Sequence, residues 1–239
     1  FNGIHLVAVA GTAIGKSLAS PTASPNVISG NGGDGIYIDT FASNCTVEGN
    51  IVGMDAGLTR RIPNGRLTPA AGIHILSANN LIGGTTLTNR NVIAGNNGQG
   101  IHIHGSRAAG NRILGNDIGL VNEAVFSNQS HGIWLRDGVT GTTIGTNASV
   151  LPLVVSGNAG HGVALTGTGT VGNVISWAFI GVNLAGAQAR PNGLSGVYIA
   201  TNASGNSVGT VPPDWCVIGG NRQYGIHLGP GATANTIEF

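Results

Sequence analysis

The stretch Asn26-Val-Ile-Ser-Gly-Asn-Gly-Gly-Asp-Gly-Ile-Tyr-Ile38 decides the fold. It ends in a Gly-apolar-x-apolar strand, alternating with period 2, and it recurs without a gap at residues 91–103, 153–165 and 216–228. The Gly-Asn pairs begin at Gly30, Gly95, Gly157 and Gly220, in steps of 65, 62 and 63 residues. A second copy of the short strand lies inside each long repeat. The eight copies begin at Gly3, Gly35, Gly72, Gly100, Gly132, Gly162, Gly196 and Gly225. One long repeat is therefore two turns of roughly thirty residues each, a period in the range of solenoids.

Each turn carries a Gly-Ile-x-Ile strand, a variable loop and an Asn-x-Ile-x-Gly strand such as Asn111-Arg-Ile-Leu-Gly115. Such a strand has one apolar face and cannot stand alone. Stacking on its equivalent in the next turn buries that face and pairs its backbone groups. Gly and Asn recur at the corners, where positive φ is needed. No helix-period stretch is long enough for a crossover helix. The sequence predicts an all-β fold, a parallel β-helix (solenoid) of about eight turns with no substantial helix, on the order of 35–40 Å long at ~4.8 Å per turn. Residues 1–239 read as one β-helix domain.

The strings "NVISGNGGDGIYI", "NRILGNDIGL" and "NNLIGG…NVIAGN" resemble the right-handed parallel β-helix repeats of the pectin-lyase-like superfamily, most of all the Asn/Gly-rich repeat arrays of large bacterial extracellular proteins. The resemblance covers essentially the whole chain and supplies the hand of the coil. It is nearly silent on function, because the superfamily includes polysaccharide lyases, glycosidases, epimerases, phage tailspikes, adhesins and structural arrays.

Composition narrows the classes. Glycine makes up 42 of 239 residues, charged residues only 8%, and the hydrophobic share is 41%. That is too apolar and too uncharged for a disordered chain. A net charge of +1 with a single lysine offers no electrostatic basis for nucleic acid or anionic lipid, and no apolar run reaches a membrane span. Gly, Asn, Ser and Thr in abundance point to an extracellular or cell-surface protein, bacterial by its resemblance. Gly30-Asn-Gly-Gly-Asp-Gly35 satisfies a dinucleotide fingerprint, but a strand follows it instead of a helix, so it reads as a solenoid corner. No cofactor is implied.

The residue between the two apolar positions of each Gly-x strand should point outward. Its occupants are His5, Tyr37, His74, His102, Trp134, Ala164, Tyr198 and His227, a line of seven rings broken only at Ala164. This strip suits stacking against sugars or a partner; cross-strand pairing of rings explains it equally well. Two residues further along, His104 and Arg136 should share the same face. His74, His102 and His104 would then be neighbours, a candidate zinc or copper arrangement opposed by the Arg136 charge and by the lack of an orienting carboxylate in register.

Enzymes of the superfamily need clustered carboxylates. The nine here (Asp34, Asp39, Glu48, Asp55, Asp117, Glu123, Asp137, Asp214 and Glu238) fall on different corners and turns, which disfavours catalysis. Three longer loops, 54–70, 120–130 and 182–195, lie on one side and read as solvated loops, with a binding side as the alternative. Asn-x-Ser/Thr sequons begin at Asn44, Asn128, Asn147 and Asn202 in a chain rich enough in Asn, Ser and Thr to produce them by chance. Cys45 and Cys216 read as equivalent strand positions five turns apart, too distant to bridge. The chain begins and ends on core strands without a polar cap, so its partners are expected to be further repeats of the same chain or end-to-end copies of itself. A structural or adhesive β-helix segment is the leading reading. A polysaccharide lyase or glycosidase and a carbohydrate-binding module using the strip are the alternatives.

Overall fold

A computed structural model describes residues 1–15, 24–145, 151–209 and 215–238. The chain coils as a parallel β-solenoid with three strands per turn. Sheet 1 has eight strands, from Ile4–Leu6 to Ile226–Leu228, and carries the Gly-x strands. Sheet 2 also has eight, from Ala13–Gly15 to Thr236–Ile237, while sheet 3 has seven, from Val27–Ile28 to Val217–Ile218. The three sheets run parallel in register, and the rod completes about seven turns. Helix is confined, among the described residues, to one 3-10 turn at Leu87–Asn89.

Inward-facing residues stack in apolar columns. Ile36, Ile73, Ile101, Ile133, Val163 and Val197 form one such column in sheet 1, all fully buried. Each fully buried side chain of this kind contributes roughly 1.5–3 kcal/mol. The two glycines of the motif serve different ends. The Gly of each Gly-Asn pair turns the corner with positive φ, as at Gly95 (76°) and Gly157 (75°). The Gly that opens each Gly-x strand, Gly225 of the last turn excepted, has ordinary φ but no room: a Cβ on Gly100 would lie 2.7 Å from the Gly132 carbonyl oxygen of the next turn. The first glycine is required by conformation and the second by close approach of neighbouring coils.

Polar groups at the corners are satisfied by ladders of stacked asparagine amides. The longest runs Asn31, Asn64, Asn96, Asn128, Asn158, Asn192 and Asn221, each Nδ2 donating to the next Oδ1 at 2.8–3.0 Å. Four of its seven rungs stand in the Gly-Asn motif; Asn64, Asn128 and Asn192 come from the ends of the longer loops. The sequon at Asn128 is therefore fully buried inside the ladder, whereas Asn44 and Asn202 are exposed and Asn147 lies outside the described residues.

The alternation of turns explains the 63-residue step. Every second turn inserts a β-hairpin between sheets 3 and 1: one bridged at Met54 and Arg61, one formed by Leu120–Val121 and Ala124–Val125, and one bridged at Val182 and Ala189. These hairpins head the three long loops and are not simply solvated. They fold over the outer face of sheet 3 and bury two satellite clusters, one around Ile51, Met54, Ala94 and Val121, the other around Leu120, Val154, Phe179 and Val182. Arg61 ties the first hairpin down by donating from Nε and Nη2 to the Gly95 carbonyl at 3.1 and 2.9 Å.

The cysteines are free and buried. Their positions correct the sequence reading: they do not share a column. Cys45 opens the line of sheet 2, where its backbone N–H donates to Asn80 Oδ1, while Cys216 opens the line of sheet 3, above Ala178. Both stand where other turns place asparagine, but at different corners.

Candidate functional site: a ring-lined face with one recess

Sheet 1 holds the predicted strip in register. His5 pairs with Tyr37, Tyr37 with His74, His74 with His102, His102 with Trp134, Trp134 with Ala164, Ala164 with Tyr198 and Tyr198 with His227. Alternation along each strand turns these residues outward while their Ile and Leu neighbours are buried. The rings touch. His5–Tyr37 and Tyr37–His74 meet edge to face at 4.8 and 5.1 Å, and His74–His102 and His102–Trp134 stack at 4.5 and 5.0 Å.

The expected break at Ala164 is bridged. His131 meets Trp134 edge-on at 5.4 Å, stacks on His161 at 5.2 Å, and His161 stacks on Tyr198 at 4.4 Å. With His104 stacked beside His102 and His227 beside Tyr198, all seven histidines of the chain lie on this one face. His131 and His161 are absent from the strip read in the sequence because they stand off the strands, one residue before Gly132 and Gly162. Reading that position through the repeats (Asn2, Asp34, Ala71, Gln99, His131, His161, Ser195, Tyr224) would have found them.

The detour around Ala164 leaves a recess of about 380 Å³. Ala164 floors it, Trp134 and Tyr198 stand at either end, and His131 and His161 wall one side. Arg136, Asp137, Thr166 and Thr201 supply a polar rim on the other. The rim is pre-organised. Trp134 Nε1 donates to Thr166 Oγ1 at 2.8 Å, Arg136 lies over the Trp134 ring with its guanidinium carbon 4.7 Å from the centroid, and Arg136 Nη1 meets Asp137 Oδ2 at 3.2 Å. The Arg–Asp pair leaves the rim close to neutral. Aromatic walls with a few fixed polar groups, at the small end of the ~300–1,000 Å³ range of ligand pockets, suit one ring of a polar, flat-faced ligand such as a sugar.

The metal candidates are placed differently from a metal centre. His74, His102 and His104 lie in near-parallel planes, 18° and 16° apart. Ring lone pairs lie in the ring plane, so stacked imidazoles cannot aim at one ion. No group of three or more His, Cys, Asp or Glu is set to hold a metal among the described residues. The expected absence of a carboxylate beside the trio is also corrected: Asp34 Oδ2 lies 3.3 Å from His74 Nδ1 and Asp137 Oδ2 3.7 Å from His104 Nε2. Arg136 does stand beside His104 in register, and its Nε donates to His102 Nε2 at 3.1 Å.

Burial governs the electrostatics of this face. It pushes His102 down to about 2, helped by the neighbouring His74 and Arg136 charges, and His131 down to about 4, helped by His161. His104 and His161 are lowered for the same first reason. The middle of the strip is thus a stack of neutral imidazoles.

The carboxylates are less scattered than the sequence implies. The second hairpin brings Glu123 to a groove of about 280 Å³ that also holds Asp117, Arg90 and Leu184. Arg90 Nη1 pairs with Asp117 Oδ2 at 3.2 Å and Arg190 Nη2 with Glu123 Oε2 at 3.6 Å. Burial raises Asp117 to about 6 against the pull of Arg90, with Glu123 adding to the rise. Asp214 lies outside the described residues. A larger hollow of about 450 Å³ beside Val125, Pro191 and Arg222 has no ring and one charged group.

Fold and site together define a parallel β-helix repeat protein with a ring-bearing face. Residues 4–118 match the family model described as right handed beta helix region, and the same three strands per turn continue through the rest of the described chain. The fold is a parallel β-solenoid of the right-handed type, consistent with the pectin-lyase-like superfamily. No curated protein and no solved structure was found to match it.

Proposed function

We propose that the protein is an adhesive β-helix segment of a cell-surface or extracellular protein, and that the ring face of sheet 1 binds carbohydrate, with the Ala164 recess as the primary subsite. The observation that carries this reading is the recess itself. A face selected only for cross-strand ring pairing has no need to interrupt the line with alanine and surround the gap with Arg136, Asp137, Thr166 and Thr201. The low charge and the abundance of Gly, Asn, Ser and Thr support an extracellular setting.

Ala164→Tyr is the decisive variant. It continues the ring line of Trp134 and Tyr198 and fills the recess, so the rod should keep its thermal stability while retention on immobilised cellulose, xylan, mannan or chitin falls about tenfold or more, the cost of one lost sugar contact of roughly 1.4 kcal/mol. Trp134→Ala and Tyr198→Ala should weaken the same binding without unfolding the rod. Unchanged binding by Ala164→Tyr, or no binding of the parent to any of the four, would leave ring pairing as the whole explanation of the strip.

A polysaccharide-cleaving activity is the second reading, and the Asp117–Glu123 groove is the observation behind it. A carboxyl whose pKa burial raises to about 6, with a second carboxyl lining the same groove, is the pairing an acid–base cleavage needs. Release of reducing ends from the same polysaccharides by the parent, abolished in Asp117→Asn, is the result this reading requires.

A further inference from the structure

The position before the Gly-x strands forms two short ladders of its own, at Asn2 and Asp34 and at His131 and His161. Here a side chain accepts the backbone N–H of the equivalent residue one turn on. Asn2 Oδ1 accepts from Asp34 at 2.9 Å and Asp34 Oδ1 from Ala71 at 2.7 Å; His131 Nδ1 accepts from His161 at 3.0 Å and His161 Nδ1 from Ser195 at 3.1 Å. The two imidazoles do the work that an amide or carboxylate oxygen does four turns below. They can do it only while Nδ1 is unprotonated, which places the neutral proton on Nε2. A protonated imidazole has no lone pair to offer, so each protonation cancels one bond between turns and leaves a buried amide unpaired.

Both rings are also walls of the recess. We propose that His131 and His161 are an acid trigger built into it: the recess is closed up and competent at neutral pH, and protonation of the two rings unlatches its wall and releases what it holds. The release clause rests on the binding reading above; the unlatching does not. The groups facing these rings are few. His131 faces His161 and Trp134, with His102 beyond; His161 faces His131 and Tyr198, with His227 beyond; Arg136 and Asp137 hold the opposite rim. No carboxylate makes an ion pair with either ring among the described residues, so a proton arriving there meets buried surface and other imidazoles. The lowered value of His131, about 4, sets the acid limb below the ordinary 6.5 of histidine.

The ladder also supplies the control. Asparagine performs the same acceptor role at position 2 without titrating, so the double variant His131→Asn/His161→Asn should keep the inter-turn bonds at every pH. Amide hydrogen exchange of His161 and Ser195, corrected for intrinsic pH dependence, reads the latch without any ligand. In the parent, protection of these two amides should fall between pH 7 and pH 4 about tenfold or more beyond any fall at Ile133 and Val163, a difference worth roughly one pKa unit of linkage. In the double variant the two pairs of amides should change together. Retention of the parent on cellulose, xylan, mannan and chitin, measured over the same pH range, should fall in parallel. Level protection in the parent, or an equal loss in the double variant, overturns the trigger. A parent that binds none of the four at pH 7 overturns the binding reading alone, and the exchange measurement still decides the latch.

Discussion

Asn128→Leu is expected to destabilise the protein by roughly 2–6 kcal/mol, since it leaves two buried polar groups, the Asn96 backbone N–H and Asn158 Oδ1, unpaired at roughly 1–3 kcal/mol each, and takes one of several partners from the Ile93 carbonyl and Asn96 Nδ2. Asn128 Nδ2 donates to the Ile93 carbonyl and to Asn158 Oδ1, both at 3.0 Å, while its Oδ1 accepts from the backbone and side-chain amides of Asn96 at 3.1 and 2.9 Å. Leucine matches the branched outline but meets none of these. The residue sits midway in a seven-rung ladder, so its loss also separates the rungs on either side. Asn44→Gly, at an exposed corner asparagine outside the ladders whose positive φ (54°) glycine also adopts, should change stability by under about 0.5 kcal/mol. Denaturant titration of the two variants makes the comparison. A loss below about 1 kcal/mol for Asn128→Leu would mean that water or backbone adjustment satisfies the freed groups.

The second large effect is loss of stability in acid. His102 and His131 have folded values of about 2 and about 4, below the ordinary 6.5, so the fold favours their neutral forms. As pH falls through 6.5 the unfolded chain takes up protons that the folded chain refuses. The stabilisation is complete above 6.5, and it is lost progressively down to about 4 for His131 and about 2 for His102. Asp117 acts in the opposite sense. Its folded value of about 6 lies above 3.8, so it favours the fold as pH drops through that window. The histidine shifts are larger and more numerous, and at about 1.4 kcal/mol per unit they prevail. Denaturation midpoints should therefore fall from pH 7.5 to pH 4, by an amount on the order of several kcal/mol. His102→Phe, which keeps a stacking ring without a titrating nitrogen, should flatten the slope. Equal or greater parent stability at pH 4 would sink the account.

The ring strip was legible because it depends on two short-range facts, the period of 2 along a strand and the repeat that stacks one strand on the next. Those same facts place Ile36, Ile73 and Ile101 inward and Tyr37, His74 and His102 outward. His131 and His161 escaped because their rings reach the face from a corner, where no periodicity announces direction. The shared column assigned to the cysteines failed for a related reason. Three corners of each turn carry similar asparagine-led strands, and only counting sheets around the coil tells Cys45 in the sheet 2 line from Cys216 in the sheet 3 line.

The sequence by itself determined the coil: the Gly-Ile-x-Ile repeat dictates period, strand direction and core, since each strand can bury its apolar face only on its own copy one turn away. Only the tertiary structure decided what the surface became. Side chains from different turns meet according to how corners bend and hairpins fold back, and that is set by packing over sheets 1 and 3. Thus Glu123 reaches the groove of Asp117 because its hairpin covers sheet 3, and His131 and His161 close around Ala164 because their Nδ1 atoms are held by the next turn's amides.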